Sequence, residues 1–208
     1  MSDAKHRGAV VSRDKQEAYI CEQLRASADC ILGVQALAGE IGRSAGLLVD
    51  TLRRGGAVLT AGNGGSAAEA LHMAEELTGR FRGDRRSLPG ICLNADGTLL
   101  TCIGNDYGFE AVFARQVEGI GRAGDLLVLF STSGQSENLV RAVSVAKAKG
   151  VAVIGVLGRD GGRMAGLCDV ELVVQGTATE RIQEAQQVLM HIWLDAIEAA
   201  FGNTEGDA

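Results

Sequence analysis

The amino-acid sequence predicts an α/β fold built around a five-stranded parallel sheet. Beyond Gly55 and Gly56, short apolar runs alternate with segments of helical periodicity. Strands separated by helices of this length need crossover connections, which make neighbouring strands parallel. The composition agrees, because 29 glycines and a single proline suit many tight turns between short elements. The predicted strands are A-V-L-T-A at 57–61, G-I-C-L at 90–93, D-L-L-V-L-F at 125–130, V-A-V-I-G-V-L at 151–157 and V-E-L-V-V at 170–174.

Helical segments are predicted at both ends of this pattern. Residues 14–54 carry apolar side chains at helical spacing, and we expect two helices with a break near Leu32 to Val34. The segment from Thr179 to about Ala200 is predicted as one long helix. With 208 residues and 46% hydrophobic content, the chain is long enough to bury one core. We expect a single domain over residues 1–208, with the helical segment at about 14–54 and the α/β core at about 55–202.

Composition and charge argue against two classes of function. The formal net charge is −6, and Lys and Arg never form a block, so we expect no nucleic-acid partner. The first residues are polar and the longest apolar runs are too short to span a bilayer, so we expect no membrane segment and a cytoplasmic location.

Five cysteines without any C-x-x-C spacing predict reduced thiols in or near the core. These cysteines are Cys21, Cys30, Cys92, Cys102 and Cys168.

A glycine-rich turn follows the first predicted strand. G-N-G-G-S at Gly62–Ser66 leads into a helix, and parallel sheets bind ligands where such loops meet helix N-termini. The stretch also fits G-x-G-x-x-A, so a nicotinamide cofactor is an alternative. That interpretation needs an acidic residue about twenty positions further on, whereas Asp96 is about thirty on and past the second strand. The cofactor interpretation is therefore the weaker of the two.

A second loop carries four hydroxyl groups between a strand and a helix. S-T-S-G-Q-S places Ser131, Thr132, Ser133 and Ser136 at a helix start, where free backbone N–H groups favour an anion. Ser136 alone could instead be a helix N-cap. Capping uses one hydroxyl and leaves three unexplained, so the cluster predicts a binding site for a phosphate monoester.

Two predicted helices bring together residues that bind metals or transfer protons. His72 and Glu76 lie about 40° apart around one helix, although such a pair is often only a surface contact. Gln183 and His191 lie two turns apart on the last helix, where His191 sits in an apolar run and could be a satisfied core histidine. Two imidazoles, a carboxylate and an amide oxygen are donors that suit tetrahedral zinc.

Five ordered motifs carry a resemblance to a known family. They are G-N-G-G-S, H-M-A-E-E-L-T-G-R-F, G-N-D-Y-G-F, S-T-S-G-Q-S and E-R-I-Q-E with a later histidine. From about residue 15 to about 200, the chain resembles the sedoheptulose 7-phosphate isomerases (phosphoheptose isomerases) of the sugar-isomerase, or SIS, fold. The resemblance implies a Rossmann-like, three-layer α/β/α subunit and a homotetramer with active sites at subunit interfaces. It also implies conversion of a phosphorylated seven-carbon sugar, sedoheptulose 7-phosphate, to D-glycero-D-manno-heptose 7-phosphate, for synthesis of nucleotide-activated heptose.

The resemblance also implies which residues form the site. One zinc ion per subunit would be bound by His72, Glu76, Gln183 and His191. Isomerisation through an enediol needs a base that moves a proton between C1 and C2 and an acid for the oxygens. We expect Glu76 to be the base and His191 its partner, which leaves open whether the zinc is catalytic or structural. The implied substrate contacts are Asn63, Gly64, Gly65, Ser66, Glu76, Asn105, Asp106, Ser131, Thr132, Ser133, Ser136 and Gln183.

Two positions depart from the family pattern, and two others stay ambiguous. Gln186 stands where members of the family often have a histidine, and Glu180 stands where a shorter residue is expected. Both departures predict a changed rim of the site and a shifted substrate preference. Arg80 could contact substrate or pair with a neighbouring glutamate, and Asp106 could serve only the local N-D-Y-G turn.

A function of another class is the main alternative to an enzyme. Some SIS-fold proteins bind phosphosugars as sensors, and one relative binds a replication initiator without catalysing isomerisation. Such proteins have no need of an acid/base pair. The presence of both Glu76 and His191 therefore favours the isomerase.

Overall fold

The computed structural model describes residues 12–202 of the chain, which contain seven α-helices and five β-strands. The helices are α1 (Arg13–Gly33), α2 (Ala38–Arg53), α3 (Gly65–Thr78), α4 (Gly97–Tyr107), α5 (Ala114–Ile120), α6 (Glu137–Ala148) and α7 (Thr179–Phe201). The strands are β1 (Val58–Gly62), β2 (Gly90–Cys92), β3 (Leu126–Ser131), β4 (Ala152–Gly158) and β5 (Val170–Val174). The five predicted strands and the long last helix are thus confirmed.

The strands form one parallel sheet in the order β2-β1-β3-β4-β5. Every residue of β1 and of β3 is buried, because helices cover both faces of the sheet. Leu59 of β1 stands opposite Ile91 on one side and Leu127 on the other, which fixes the register at the centre. The chain moves from β1 to β2 on one side and then to β3 on the other, so a crevice is expected between β1 and β3.

Two hydrophobic cores make the structure a three-layer α/β/α sandwich. Side chains of α2, α3 and α7 pack against one face of the sheet around the buried Trp193. Side chains of α4, α5 and α6 pack against the other face around Phe113. Alternate strand residues serve the two cores, as Leu126 and Leu127 do. The predicted fold class is confirmed.

The N-terminal helices also follow the prediction, since a 3₁₀ turn at Val34–Leu37 separates α1 from α2. The prediction that all cysteines are in or near the core is wrong for Cys21 and Cys102, whose helical positions are exposed. Between residues 12 and 202, no helix combines the length and the apolar character that a membrane span requires. The polar N-terminus used in the sequence analysis lies outside the described residues.

Candidate active site

The two motif loops lie side by side at the carboxyl end of the sheet. The turn Gly62–Ser66 leaves β1, and the loop Ser131–Ser136 leaves β3, its direct neighbour. This is the point where the order of the strands reverses, which is the usual ligand position in sheets of this type. The loops therefore meet because of the strand order, although 68 positions separate Gly62 and Phe130, which pair across the two strands.

The turn after β1 is held in a conformation that needs glycine. The N–H of Gly62 donates to Asn94 Oδ1 at 3.1 Å, and Asn94 Nδ2 donates back to the Gly62 carbonyl at 2.9 Å. Gly64 has a φ of +58°, a backbone angle that residues other than glycine rarely adopt. A Cβ atom at Gly62 would overlap the backbone of Ser66. The turn is thus tight and is fixed by hydrogen bonds where it enters the N-terminus of α3.

The hydroxyl-rich loop after β3 encloses a small polar cavity. Ser131 Oγ accepts the N–H of Gly134 at 3.0 Å, and Ser133 Oγ accepts the N–H of Gln135 at 3.3 Å. Ser136 occupies the N-cap position of α6 but makes no side-chain capping bond, so its hydroxyl stays available to a ligand. The cavity has a volume of about 80 Å³ and is lined by Asn63, Ser66, Phe130, Ser131, Thr132, Ser133 and Ser136.

A reciprocal amide pair ties the two loops together. Asn63 Nδ2 donates to Asn138 Oδ1 at 3.0 Å, and Asn138 Nδ2 donates to Asn63 Oδ1 at 2.9 Å. Asn138 lies in the first turn of α6 and is buried. The predicted substrate residue Asn63 therefore also has a structural partner, which the sequence analysis missed.

Three of the four predicted metal residues, which include both predicted acid/base residues, come together. His72 Nε2 lies 3.1 Å from Glu76 Oε1 on α3. The ring of His191 on α7 meets the His72 ring edge-on, with 5.3 Å between centroids. His191 also stacks on Phe81, with 5.9 Å between the ring centroids. Gln183 lies against Gly65, where a Cβ atom would overlap its amide.

These donors fit a divalent metal such as zinc. His72, Glu75 and Glu76 each offer a ligand atom, and the three atoms lie within 4.8 Å of one another. His191 adds a second imidazole at the edge of this cluster. Mixed nitrogen and oxygen donors are the set that zinc accepts. Glu75 was not among the predicted ligands, and the structure makes it a competitor of Gln183 for that role.

Glu69 is a buried acid on α3 that sequence reasoning missed. It is 5% exposed, and neither carboxyl oxygen has a hydrogen-bond partner of acceptable geometry among residues 12–202. Burial raises the pKa of Glu69 to about 7, although the nearby Ser66 hydroxyl holds it down in part. The sequence could have indicated this residue, because Glu69 lies three positions before His72 and residues at that spacing share a helix face.

Three predicted positions lie apart from this cluster. Asn105 and Asp106 are exposed in the last turn of α4, where Asn105 Nδ2 donates to Asp106 Oδ1 at 2.8 Å. No hydrogen bond between residues 12 and 202 joins either of them to the two loops. The expectation that Gln186 alters the rim is wrong, because its side chain is buried and donates to the Val156 carbonyl at 2.8 Å. Its place on the last helix was predicted, but its inward orientation was not.

The nicotinamide interpretation finds no support in this geometry. Asp96, its acidic candidate, is the N-cap of α4, and its carboxylate accepts the N–H of Leu99 at 2.9 Å. A cavity of about 80 Å³ suits a small anion, whereas larger ligands occupy several hundred cubic ångströms. The geometry favours a phosphate group at the loops.

A doubly wound sheet whose two central loops enclose an anion-sized cavity is typical of the α/β proteins that bind anionic ligands beyond the carboxyl ends of their strands. The SIS domain family model matches residues 24–158. The phosphoheptose isomerase of Nitratiruptor sp. is 51% identical over 155 residues, 74% of this chain and 83% of that protein. That of Geobacter sulfurreducens is 46% identical over 180 residues, 86% of this chain and 95% of that protein.

A solved structure narrows the assignment further. The phosphoheptose isomerase from Neisseria gonorrhoeae superimposes with a TM-score of 0.80 at 40% identity, covering 89% of this chain and 98% of that one. The chain belongs to the phosphoheptose isomerase family. The predicted resemblance is confirmed, while the roles of individual residues stay predictions.

Proposed function

We propose that the protein is a phosphoheptose isomerase that converts sedoheptulose 7-phosphate to D-glycero-D-manno-heptose 7-phosphate, as a step in heptose biosynthesis. One observation carries the assignment of chemistry to residues. His72 and Glu76 lie on α3, the helix that begins at the hydroxyl-lined cavity, and His191 of α7 packs against the His72 ring. From Ser66 to His72 the helix rises about 9 Å, a scale that suits a sugar chain between a bound phosphate and its reacting carbons.

The cavity residues would hold the phosphate end of the substrate. Ser131, Thr132, Ser133 and Ser136 offer hydroxyl groups, and the N-termini of α3 and α6 favour negative charge. The sugar would extend past Gly64 and Gly65, with Ser66, Asn63 and Gln183 at its sides. We retain Asn105 and Asp106 as predicted substrate contacts, which a second copy of the chain could bring to the site.

Glu76 and His191 would carry the proton transfers. The carboxylate of Glu76 takes the proton from one of the carbons C1 and C2 and returns it to the other, while His191 exchanges protons with the two oxygens. The reaction moves hydrogens within the sugar and consumes no redox partner. Stacking on Phe81 keeps the His191 ring facing His72. Glu76 and His191 are both partly buried, which limits the access of water to the proton transfers.

We propose zinc as the metal, held by His72, Glu76, Gln183 and His191. When bound, zinc supplies a Lewis acid that polarises or orients the substrate hydroxyls. The supporting observation is the donor set itself: the imidazoles of His72 and His191 lie with the Glu76 carboxylate, and the Gln183 amide lies at the start of the same helix, α3.

We also propose a homotetramer with active sites at subunit interfaces, a single domain over residues 1–208 and a cytoplasmic location. The assembly is supported by large apolar side chains left exposed on α1. The net charge of −6 supports the absence of a nucleic-acid partner.

Proton NMR of sedoheptulose 7-phosphate with the purified protein in deuterated water tests the function. We expect a new heptose 7-phosphate signal with deuterium uptake, which Glu76→Gln abolishes and Glu75→Gln retains. Arms with a chelator and with added zinc report the need for metal. No conversion and no deuterium uptake in any arm would exclude this substrate. Loss of conversion in Glu75→Gln but not in Glu76→Gln would identify Glu75 as the base instead.

A further inference from the structure

A second glutamine on the last helix faces the metal-compatible cluster. Gln187 lies four residues after Gln183 and four before His191, so the three residues share one face of α7. Its side-chain amide contacts Nδ1 of His72. The other ring nitrogen, Nε2, lies 3.1 Å from Glu76 Oε1. Each nitrogen of His72 thus has its own partner, one on α7 and one on α3.

We propose that Gln187 is a positioning residue that sets the orientation and the tautomer of His72 for a metal ion; this inference rests on the proposed metal site. A neutral imidazole has one N–H donor and one lone pair, and only the lone pair binds metal. A metal-ligating histidine usually donates its other N–H to an oxygen acceptor. With its amide oxygen turned to Nδ1, Gln187 would be that acceptor and would leave the lone pair on Nε2, the nitrogen that faces Glu76.

The amide serves His72 both with and without metal. Its nitrogen is the atom nearer Nδ1 in the structure, which suits the tautomer whose Nε2–H donates to Glu76. A half-turn of the amide places its oxygen at Nδ1 instead, where it accepts Nδ1–H once a metal takes Nε2. A glutamine can make both arrangements, whereas an apolar side chain of similar length can make neither.

Gln187 is not required merely to join the two helices. Arg85 already links them, because its guanidinium donates to the Glu76 and Leu77 carbonyls on α3 and to Glu198 on α7. Its side chain is fully buried, so this connection is shielded from solvent. The contact of Gln187 is made to a ring nitrogen of the cluster itself, which points to a role in orienting that ring.

The test measures zinc affinity of the full-length protein by competition with a chromophoric chelator. We expect Gln187→Met to weaken zinc binding about 10- to 100-fold, the usual range when such a partner is lost. Gln187→Glu should retain affinity within a few-fold, because a carboxylate accepts the same N–H. The matched control is Gln186→Met, which alters the neighbouring glutamine that points into the core and should leave zinc affinity unchanged.

A second measurement does not depend on a variant folding. Nitrogen-15 NMR of the zinc-loaded wild-type protein should show His72 protonated at Nδ1, and protonation at Nε2 would overturn the inference. Equal zinc affinity of wild type and Gln187→Met would overturn it while leaving the proposed site intact. A wild-type protein that isomerises sugar but binds no zinc would remove the metal and this inference together, while leaving the proposed reaction.

Discussion

At the scale of single residues, the buried carboxyl group of Glu69 makes stability depend on pH. Burial raises its pKa from the ordinary 4.5 to about 7. Below the lower value, the folded and unfolded chains both hold the proton. Between the two values, the unfolded chain releases the proton while the folded chain keeps it. The contribution of Glu69 to stability is therefore complete at low pH and is lost as pH rises towards and through 7.

The variant Glu69→Gln should remove this pH dependence, because an amide does not ionise. We expect the free energy of unfolding of the variant, relative to wild type, to improve on the order of 2 kcal/mol between pH 5 and pH 8. Urea unfolding at fixed protein concentration, repeated across that range, measures the difference. Parallel stability curves for the two proteins would show that Glu69 does not titrate in the folded state.

At the scale of elements, the features that could be predicted were those that depend on one continuous segment of the sequence. β3 is a continuous apolar run between turn residues, and α7 repeats apolar residues at helical spacing for over five turns. The partners inside the site are of another kind. Gln187 meets His72 across 115 positions, and Asn138 meets Asn63 across 75. No local pattern marks such pairs, because the sheet order creates them.

The loop after β3 should lose its ligand-binding shape in Gly134→Ala. Gly134 has a φ of +61°, and a Cβ atom there would overlap the carbonyl of Gly161 in the loop after β4. We expect the KM for the sugar phosphate to rise at least tenfold and inhibition by inorganic phosphate to weaken. Steady-state kinetics measure both. Gly46→Ala on α2, where a Cβ atom meets nothing, is the control. An unchanged KM in Gly134→Ala would exclude this loop from phosphate binding.

The end of α3 should depend on the buried Arg85. Arg85→Met removes one donor from each of the Glu76 and Leu77 carbonyls and breaks the buried ion pair with Glu198, so we expect a loss of about 3–5 kcal/mol in the free energy of unfolding. Arg82→Met breaks the exposed ion pair with Asp195 and should cost about 1 kcal/mol or less. Denaturant unfolding of both variants measures the two losses in free energy. Losses of similar size would mean that the burial of Arg85 gives it no special role in stability.

At the scale of the whole molecule, α1 carries an apolar stripe that the chain covers only in part. Ser27, Cys30 and Ile31 face the body of the protein, whereas Ile20 and Leu24 continue the same side of the helix and are 49% and 65% exposed. No described residue of α1 is fully buried. The sequence predicted the helix, but only the packed structure shows which part of its face is bare. A stripe that begins packed and ends exposed suits burial by a second copy.

Replacing Ile20 and Leu24, the exposed part of that stripe, should therefore weaken the proposed tetramer. Each buried Leu or Ile contributes about 1.5–3 kcal/mol, and a symmetric interface repeats the contribution. We expect Ile20→Gln with Leu24→Gln to reduce the mass measured by sedimentation at micromolar concentration from that of four chains. Glu22→Gln, exposed on the opposite side of α1, should keep the wild-type mass. An unchanged mass in the double variant would exclude α1 as an interface, and a reduced mass with full isomerase activity would show that each chain holds a complete site.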